Sequence, residues 1–260
     1  MSTTTTTDNT ATRPALLADH DVVPADRWLA ARKALLAREK EAMRLQDEIA
    51  RERRALPWER VRTEYVFDAP EGRRSLSELF EGRRQLIVQH FMLGPGWEQG
   101  CPSCSYMADH TDGMTVHLAH RDVSFVAVSR APIAEIERFK SRMGWKFRWV
   151  SSSANGFNRD FRVSFDPEDR VDGEVDYNYH RTSFPGSEAP GISVFVRNDG
   201  GDVFHTYSTF GRGVEAMMGT YRMLDLVPKG RDEREDAGNR MEWVRHHDRY
   251  ESGGCCHGHA

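Results

Sequence analysis

The feature that most constrains the fold is a strongly apolar run, QLIVQHFM at residues 85–92, followed closely by the sequence CPSC. Eight such residues have the length of a buried β-strand, and Gly94-Pro95-Gly96 then ends it. Apolar residues recur at helical spacing over 103–119, which predicts a helix. Pro102 suits the first helical turn, because its missing N–H is not needed there. The two cysteines of CPSC are therefore predicted at a strand-to-helix junction.

The rest of the central region alternates between strand and helix patterns. The sequence predicts an apolar strand, a helix ended by Gly144, a β-hairpin with Asp199-Gly200 in its turn, and a closing helix. Their ranges are 123–129, 132–143, 192–197 with 203–208, and 213–224. Residues 145–165 are predicted irregular, and a polar loop extends to Pro190. Parallel strands followed by an antiparallel pair predict an α/β, thioredoxin-like fold, with a central mixed sheet flanked by helices.

Three further segments surround this domain, which we place at residues 58–227. Residues 1–24 are polar and Thr-rich, which predicts a disordered tail. Residues 25–57 repeat apolar side chains every seven positions and predict an amphipathic helix, an extension that packs on its own chain or joins two copies in a homo-oligomer. Residues 228–260 form a charged extension that contains the CCHGH tail, residues 255–259.

The composition excludes several classes of protein. Four cysteines in 260 residues are too few for a secreted disulfide scaffold. No stretch approaches the roughly 18 apolar residues of a membrane span, and the first residues lack the apolar core of a secretory signal. A net charge of −4 gives no basic excess for nucleic acid. We therefore expect a cytoplasmic protein that binds neither membrane nor nucleic acid.

The spacing of Cys101 and Cys104 favours redox chemistry. Backbone N–H groups at a helix start stabilise a thiolate, so Cys101 is the candidate nucleophile. Cys104 lies one turn further and could close a disulfide, which is the arrangement of thiol–disulfide exchange. Two alternatives are a pair of buried structural cysteines and half of a zinc site. The obvious further zinc ligands are in the tail, Cys255, Cys256, His257 and His259, which also fit an unstructured end with adventitious metal affinity.

Longer segments identify a family resemblance. The stretches LFEGRRQLIVQHFMLGPGWEQGCPSCSYMAD, VAVSRAP, GWKFRWVSS, APGISVFVRNDGGDVFHTYSTF and LDLVPKGRDE resemble the DUF899 family of thioredoxin-like bacterial proteins, related to peroxiredoxins. The resemblance covers roughly residues 60–235 and extends to the helix before them and to the segment WVRHHDRY, residues 243–250, after them. It implies a thioredoxin-like fold and a redox CxxC, and it implies no substrate.

Comparison with related motifs separates the candidate reactions. The thioredoxin motif is WCGPC, with Trp next to the first cysteine, whereas here Trp97 lies four positions before Cys101. The peroxiredoxin motif is PxxxTxxC, with Pro seven positions before the cysteine. Here Pro95 is six positions before Cys101, and Glu98 takes the Thr position. We therefore expect a thiol–disulfide oxidoreductase acting on a protein or small-molecule disulfide. Its electrons would come from a dithiol or small thiol, and no bound organic cofactor or metal is implied. A thiol peroxidase and a non-catalytic binding module are the alternatives.

Several residues are candidate supports for this pair. Pro190 precedes the hairpin. Thioredoxin-like folds share a cis-proline at this place, which faces the CxxC, and by this resemblance Pro190 is the candidate. The alternative is an ordinary loop proline. Arg130 follows a strand and could lower the pKa of Cys101 or hold an anionic substrate, unless it is a solvated loop arginine. His90 is expected to be a core histidine rather than a proton-transfer group.

Aromatic residues are the last group of candidates. Trp97 could form an apolar rim around the cysteines together with the aromatic side chains of the irregular stretch. The alternative is ordinary packing of a long loop. The residues concerned are Trp97, Trp145, Phe147 and Trp149.

Overall fold

A computed structural model describes residues 20–233 and 238–250, which divide into two compact units. One unit holds residues up to 54 together with 224–232, and its main element is helix α1, Ala25–Ala55. The predicted N-terminal helix is thus confirmed. Pro57 disfavours helical geometry at the residue before it, which accounts for the end at Ala55. No helix in the described ranges is long and apolar enough to cross a membrane.

The second unit, residues 55–223 with those after 232, is built on an eight-stranded mixed sheet in the order β1-β10-β9-β4-β5-β6-β2-β3. A separate two-stranded sheet pairs β7 with β8. The strands are β1 Glu59–Arg60, β2 Val66–Ala69, β3 Gly72–Ser75, β4 Gln85–His90, β5 Val123–Ser129, β6 Arg148–Ser151, β7 Glu174–Tyr177, β8 His180–Ser183, β9 Gly191–Arg197 and β10 Val203–Phe210.

The centre of the sheet confirms the thioredoxin-like fold. Strand β4 is parallel to β5 and antiparallel to β9, and β9 pairs with β10 as an antiparallel hairpin. Ile87 of β4 lies opposite Phe125 on one side and Val194 on the other. The order β10-β9-β4-β5 therefore joins a parallel strand–helix–strand unit to a hairpin, as the sequence pattern predicted.

Short helices connect these strands. They are α2 Pro102–Ala108, α3 Thr111–Ala119, α4 Ile133–Met143, α5 Phe157–Asp160 and α6 Gly219–Leu224. Helix α4 ends as predicted at Gly144, whose left-handed backbone (φ 71°) is the conformation that glycine adopts most easily.

Three local predictions were wrong. The single helix expected over 103–119 is two helices, divided at Asp109 and His110. The stretch expected to be irregular contains β6, a third parallel strand that pairs with β5. The polar loop before Pro190 contains the β7–β8 hairpin. Each of these strands has only four residues, which is too short to give a clear periodicity in the sequence.

The core lies on both faces of the sheet, because successive strand residues point to opposite sides. Leu86, Val88, Val126 and Val128 belong to one buried cluster, together with Phe157 and Phe195. Phe125 and Ala127 belong to the other, which includes residues of α2 and α4 and also Cys104. The cysteine pair is therefore packed on the α2–α4 side of β4.

Candidate active site

Cys101 lies where the chain enters helix α2. It is the residue that caps the helix N-terminus, with Pro102 in the first turn, as the sequence predicted. Its N–H donates to the Met92 carbonyl (3.0 Å), and its carbonyl accepts from the Ser105 N–H (3.0 Å) and the Ser105 hydroxyl (3.0 Å). The backbone on both sides of the Cys101 sulfur is therefore fixed.

The two thiols are unequal. Cys104 is buried (2% exposed) and Cys101 is half-buried. Hydrogen bonding from the Cys104 thiol favours the Cys101 thiolate, with smaller contributions from the N–H groups of Cys104 and Ser103 and from the Ser103 hydroxyl. These bonds outweigh the effect of burial and lower the pKa of Cys101 to about 6. The pKa of Cys104 is raised, because its proton is held in that bond and its sulfur is buried.

Two glycines that precede Cys101 in the sequence pack tightly against aromatic rings. A Cβ on Gly100 would lie 2.5 Å from Phe91 Cε1 and 2.8 Å from Phe139 Cε1, so only glycine fits between these rings. A Cβ on Gly94 would lie 2.9 Å from the indole nitrogen of Trp97. Gly100, the residue before Cys101, is therefore tightly packed in the core. Trp97 is partly buried against the hydrophobic cluster that contains Cys104.

The aromatic residues of the β6 region are core residues rather than a rim. Trp145, Phe147 and Trp149 are all buried in the cluster that contains Cys104. The indole N–H of Trp145 donates to Asp109 (2.8 Å) and that of Trp149 donates to Ser129 (3.0 Å). Among the four aromatic candidates, only Trp97 keeps an exposed portion near the pair.

Arg130, at the end of β5, forms two ion pairs. Its Nε donates to Glu188 (2.7 Å), which is 1% exposed, and one terminal nitrogen donates to Asp166 (2.9 Å). Glu188 also accepts from the Ser164 hydroxyl (2.5 Å). Arg130 is therefore not a solvated loop arginine. The low pKa of Cys101 comes from hydrogen-bond donors within the CPSC segment.

Pro190 precedes β9, but the expected cis bond is wrong. None of the peptide bonds in residues 20–233 and 238–250 is cis. The Pro190 carbonyl accepts from the Tyr177 hydroxyl (2.8 Å), and that hydroxyl in turn accepts from the Gly211 N–H (2.9 Å). Burial raises the pKa of Tyr177 to about 12, with a smaller contribution from the charge of Cys104. The hairpin β7–β8 thus brings Tyr177 to Pro190.

His90 is a core residue, as the sequence favoured. Its Nε2 forms a hydrogen bond with the Ser193 hydroxyl (2.8 Å), and its ring stacks with Phe157 and Phe161. Burial lowers the pKa of His90 to about 3. The ring is therefore neutral at pH 7, on the opposite side of the sheet from the cysteines.

Residues 241–250, which we call the strap, contact the segment just before Cys101. The buried His246 forms a hydrogen bond with the Gly100 carbonyl (2.8 Å). His247 bonds Asp109 (2.7 Å), and Asp248 accepts two bonds from Arg142 (2.8 Å each). The charged composition of residues 228–260 gave no prediction of these contacts.

Half of a zinc site is one alternative that the sequence offers for Cys101 and Cys104. In residues 20–233 and 238–250, no group of three His, Cys, Asp or Glu side chains is placed to hold a metal ion. The candidate ligands Cys255, Cys256, His257 and His259 lie outside these ranges.

Comparison with known proteins identifies the family. Residues 17–250 match the family described as "Bacterial protein of unknown function (DUF899)", and the chain belongs to it. None of the curated proteins matches the sequence. Three similar solved structures cover 65%, 61% and 63% of this chain. They are peroxidoxin BcpB of Mycobacterium tuberculosis (14% identity, 97% of that chain, TM-score 0.43), peroxiredoxin Q of Xanthomonas campestris (11%, 90%, 0.41) and a yeast mitochondrial 1-Cys peroxiredoxin (13%, 74%, 0.37).

Proposed function

We propose that this DUF899 chain is a thiol–disulfide oxidoreductase, with Cys101 as nucleophile and Cys104 as resolving thiol. The observation that carries the proposal is the position of the half-buried Cys101 at the N-terminus of α2, with the buried Cys104 three residues further along the helix. Hydrogen bonding from Cys104 and Ser103 lowers the pKa of Cys101 to about 6. The more accessible sulfur is therefore the more easily ionised one, which suits disulfide exchange.

The reaction is a pair of exchanges. The Cys101 thiolate attacks one sulfur of a substrate disulfide, and the other substrate sulfur leaves as a thiolate. That thiolate takes up a proton, while Cys104 loses its own. The Cys104 thiolate then attacks the Cys101 sulfur and releases the second substrate thiol, so that a Cys101–Cys104 disulfide remains. Two electrons pass to the substrate, and a dithiol or small thiol donor must return them.

Three other residues have supporting roles in this proposal. Trp97 offers the partly exposed apolar surface beside the pair, which suits an apolar group next to the substrate disulfide. Pro190, whose carbonyl accepts the hydrogen bond of Tyr177, is assigned a supporting role from its place just before β9. Arg130 is a positioning residue, because its ion pairs with Glu188 and Asp166 hold the segment that leads to Pro190.

Two serine variants test the roles of the cysteines. With insulin as substrate and dithiothreitol as donor, Cys101→Ser should lose activity. Cys104→Ser should still attack once and accumulate a mixed disulfide, because it lacks the resolving thiol. Equal turnover by Cys101→Ser and the unmodified protein would overturn the proposal. Hydrogen peroxide consumption that depends on Cys101, without insulin reduction, would instead establish the peroxidase alternative.

A further inference from the structure

The peptide group between Gly100 and Cys101 is hydrogen-bonded at both ends. Its carbonyl accepts from Nε2 of His246 (2.8 Å), and its N–H donates to the Met92 carbonyl (3.0 Å). A trans peptide group is planar, with its C=O and N–H pointing in opposite directions, so two such bonds fix its orientation. A carbonyl can only accept, and Nε2 of His246 therefore carries the hydrogen. His246 thus supplies one of the two supports of the peptide group that precedes the nucleophile.

The orientation of this peptide group affects the Cys101 sulfur. Cys101 caps α2 with φ −57° and ψ 130°, so the chain enters the helix through these two angles. The core holds the segments on either side, so any turn of the peptide group is taken up by φ and ψ of Cys101. A change of ψ moves the sulfur relative to the groups of Ser103 and Cys104 whose hydrogen bonding favours its thiolate.

Packing holds His246 in place as well. Its side chain is buried, and its ring lies edge-on to the Phe139 ring, with centroids 5.4 Å apart. Gly100 fits against the same ring, since a Cβ on it would lie 2.8 Å from Phe139 Cε1. Burial lowers the pKa of His246 from its ordinary value, so the ring is mostly neutral at pH 7. His246 therefore supports the peptide group through its N–H rather than through a charge.

An ion pair holds the strap beside the same residues. Asp248 accepts two hydrogen bonds from Arg142 of α4 (2.8 Å each). Arg142 also donates to Oε1 of Gln99 (3.0 Å). The two residues before the nucleophile are thus both held: Gln99 through Arg142, and Gly100 directly by His246.

We propose that His246 is a positioning residue of the cysteine pair, because its N–H fixes the peptide group before Cys101 and so holds the sulfur beside the donors of α2. This inference rests on the proposed function and adds a residue from the far end of the chain to the same site. His246 passes no proton to the reacting sulfurs in this scheme, since its Nε2 hydrogen is bonded to a backbone carbonyl. Removing its N–H should slow the thiolate chemistry of Cys101.

Two variants separate the hydrogen bond from the packing of the ring. His246→Phe keeps a ring against Phe139 and removes the donor, whereas His246→Gln loses the ring and keeps an N–H donor. Alkylation by iodoacetamide at pH 6, located to Cys101 within tryptic peptide 85–121, reports the ionised fraction of that thiol. The Phe variant should react roughly threefold more slowly or worse, and the Gln variant within about twofold of the unmodified protein. Equal rates in all three proteins, or a Gln variant as slow as the Phe variant, would overturn the proposal.

His247 provides the matched control on the same strap. It bonds Asp109 (2.7 Å) and not the Gly100 carbonyl. His247→Phe should therefore leave the alkylation rate of Cys101 within about twofold. A slowing equal to that of His246→Phe would mean that the docking of the whole strap governs the rate, and the role assigned to His246 would be wrong.

A measurement on the unmodified protein decides the matter even where His246→Phe does not fold. Nitrogen-15 NMR of the histidine rings at pH 7 should place the hydrogen of His246 on Nε2, protected from exchange with solvent. A hydrogen on Nδ1 instead would contradict the bond to the Gly100 carbonyl and the proposal with it.

The alkylation assay uses no substrate disulfide, so it separates this inference from the proposed function. Insulin reduction that survives Cys101→Ser would refute the proposed function, while the rates of the His246 variants would still decide the positioning role. Insulin reduction that depends on Cys101, together with unchanged alkylation in His246→Phe, would refute the positioning role and leave the proposed function standing.

Discussion

The hydrogen bond from Cys104 to Cys101 can be removed with little change of shape. Cys104→Ala removes the donor, whereas Cys104→Ser keeps an O–H donor in its place. A hydrogen bond to a charged group contributes about 1.5–3 kcal/mol, and one pKa unit corresponds to about 1.4 kcal/mol. The Ala variant should therefore raise the pKa of Cys101 from about 6 by roughly one to two units. The Ser variant should leave it close to its present value.

The rate of alkylation by iodoacetamide between pH 4 and 10 measures this pKa, because the thiolate is the form that reacts. At pH 7 a thiol with a pKa near 6 is about nine-tenths ionised, and one with a pKa near 7.5 is roughly one-quarter ionised. Tryptic mapping confines the signal to Cys101. If the Ala and Ser variants give the same pKa, then Cys104 is not what activates Cys101, and the reasoning fails.

Three further predictions concern the framework of the site. Gly100→Ala should cost about 1–3 kcal/mol of thermal stability, because its Cβ meets two rings at 2.5 and 2.8 Å; Gly113→Ala, with no neighbour within 4 Å, should gain about 0.5–1 kcal/mol. Equal melting temperatures would contradict this. The pKa of His90 is about 3 when folded and 6.5 when unfolded, so the unfolded state binds the extra proton and stability falls as pH drops below 6.5. Between pH 7 and pH 5 this amounts to about 2 kcal/mol in urea unfolding, which His90→Gln should abolish. Arg130→Met should cost about 3–5 kcal/mol in urea, because it leaves Glu188 buried without its cation, and adding Glu188→Gln should recover part of that. A cost below about 1 kcal/mol would rule out this role of the ion pair.

Local patterns predicted the centre of the fold and the position of the cysteine pair. Strand β5 has the predicted limits, and Pro102 marks the start of α2, because apolar runs and prolines act on their immediate neighbours. Strand β6 was missed because it has four residues and is stabilised by its pairing with β5. The pattern that signals a strand is weak at that length.

Long-range contacts account for the rest. His246 bonds a carbonyl 146 residues away, and such a pairing leaves no periodic trace in the sequence. Arg130 was correctly placed at a strand end, but its partner Glu188 lies in a loop 58 residues later. Tyr177 likewise contacts Pro190 from the β7–β8 hairpin, which the polar composition of the segment before Pro190 did not predict.

The redox titration of Cys101 and Cys104 tests the central claim most directly. The protein is equilibrated in glutathione buffers of stepped potential, quenched with acid and alkylated, and peptide 85–121, which holds both cysteines, is analysed by mass. We predict a two-electron transition, about 30 mV per tenfold change in ratio, to a form that lacks two hydrogens and resists alkylation. Two freely alkylated cysteines at every potential would contradict a redox role for the pair.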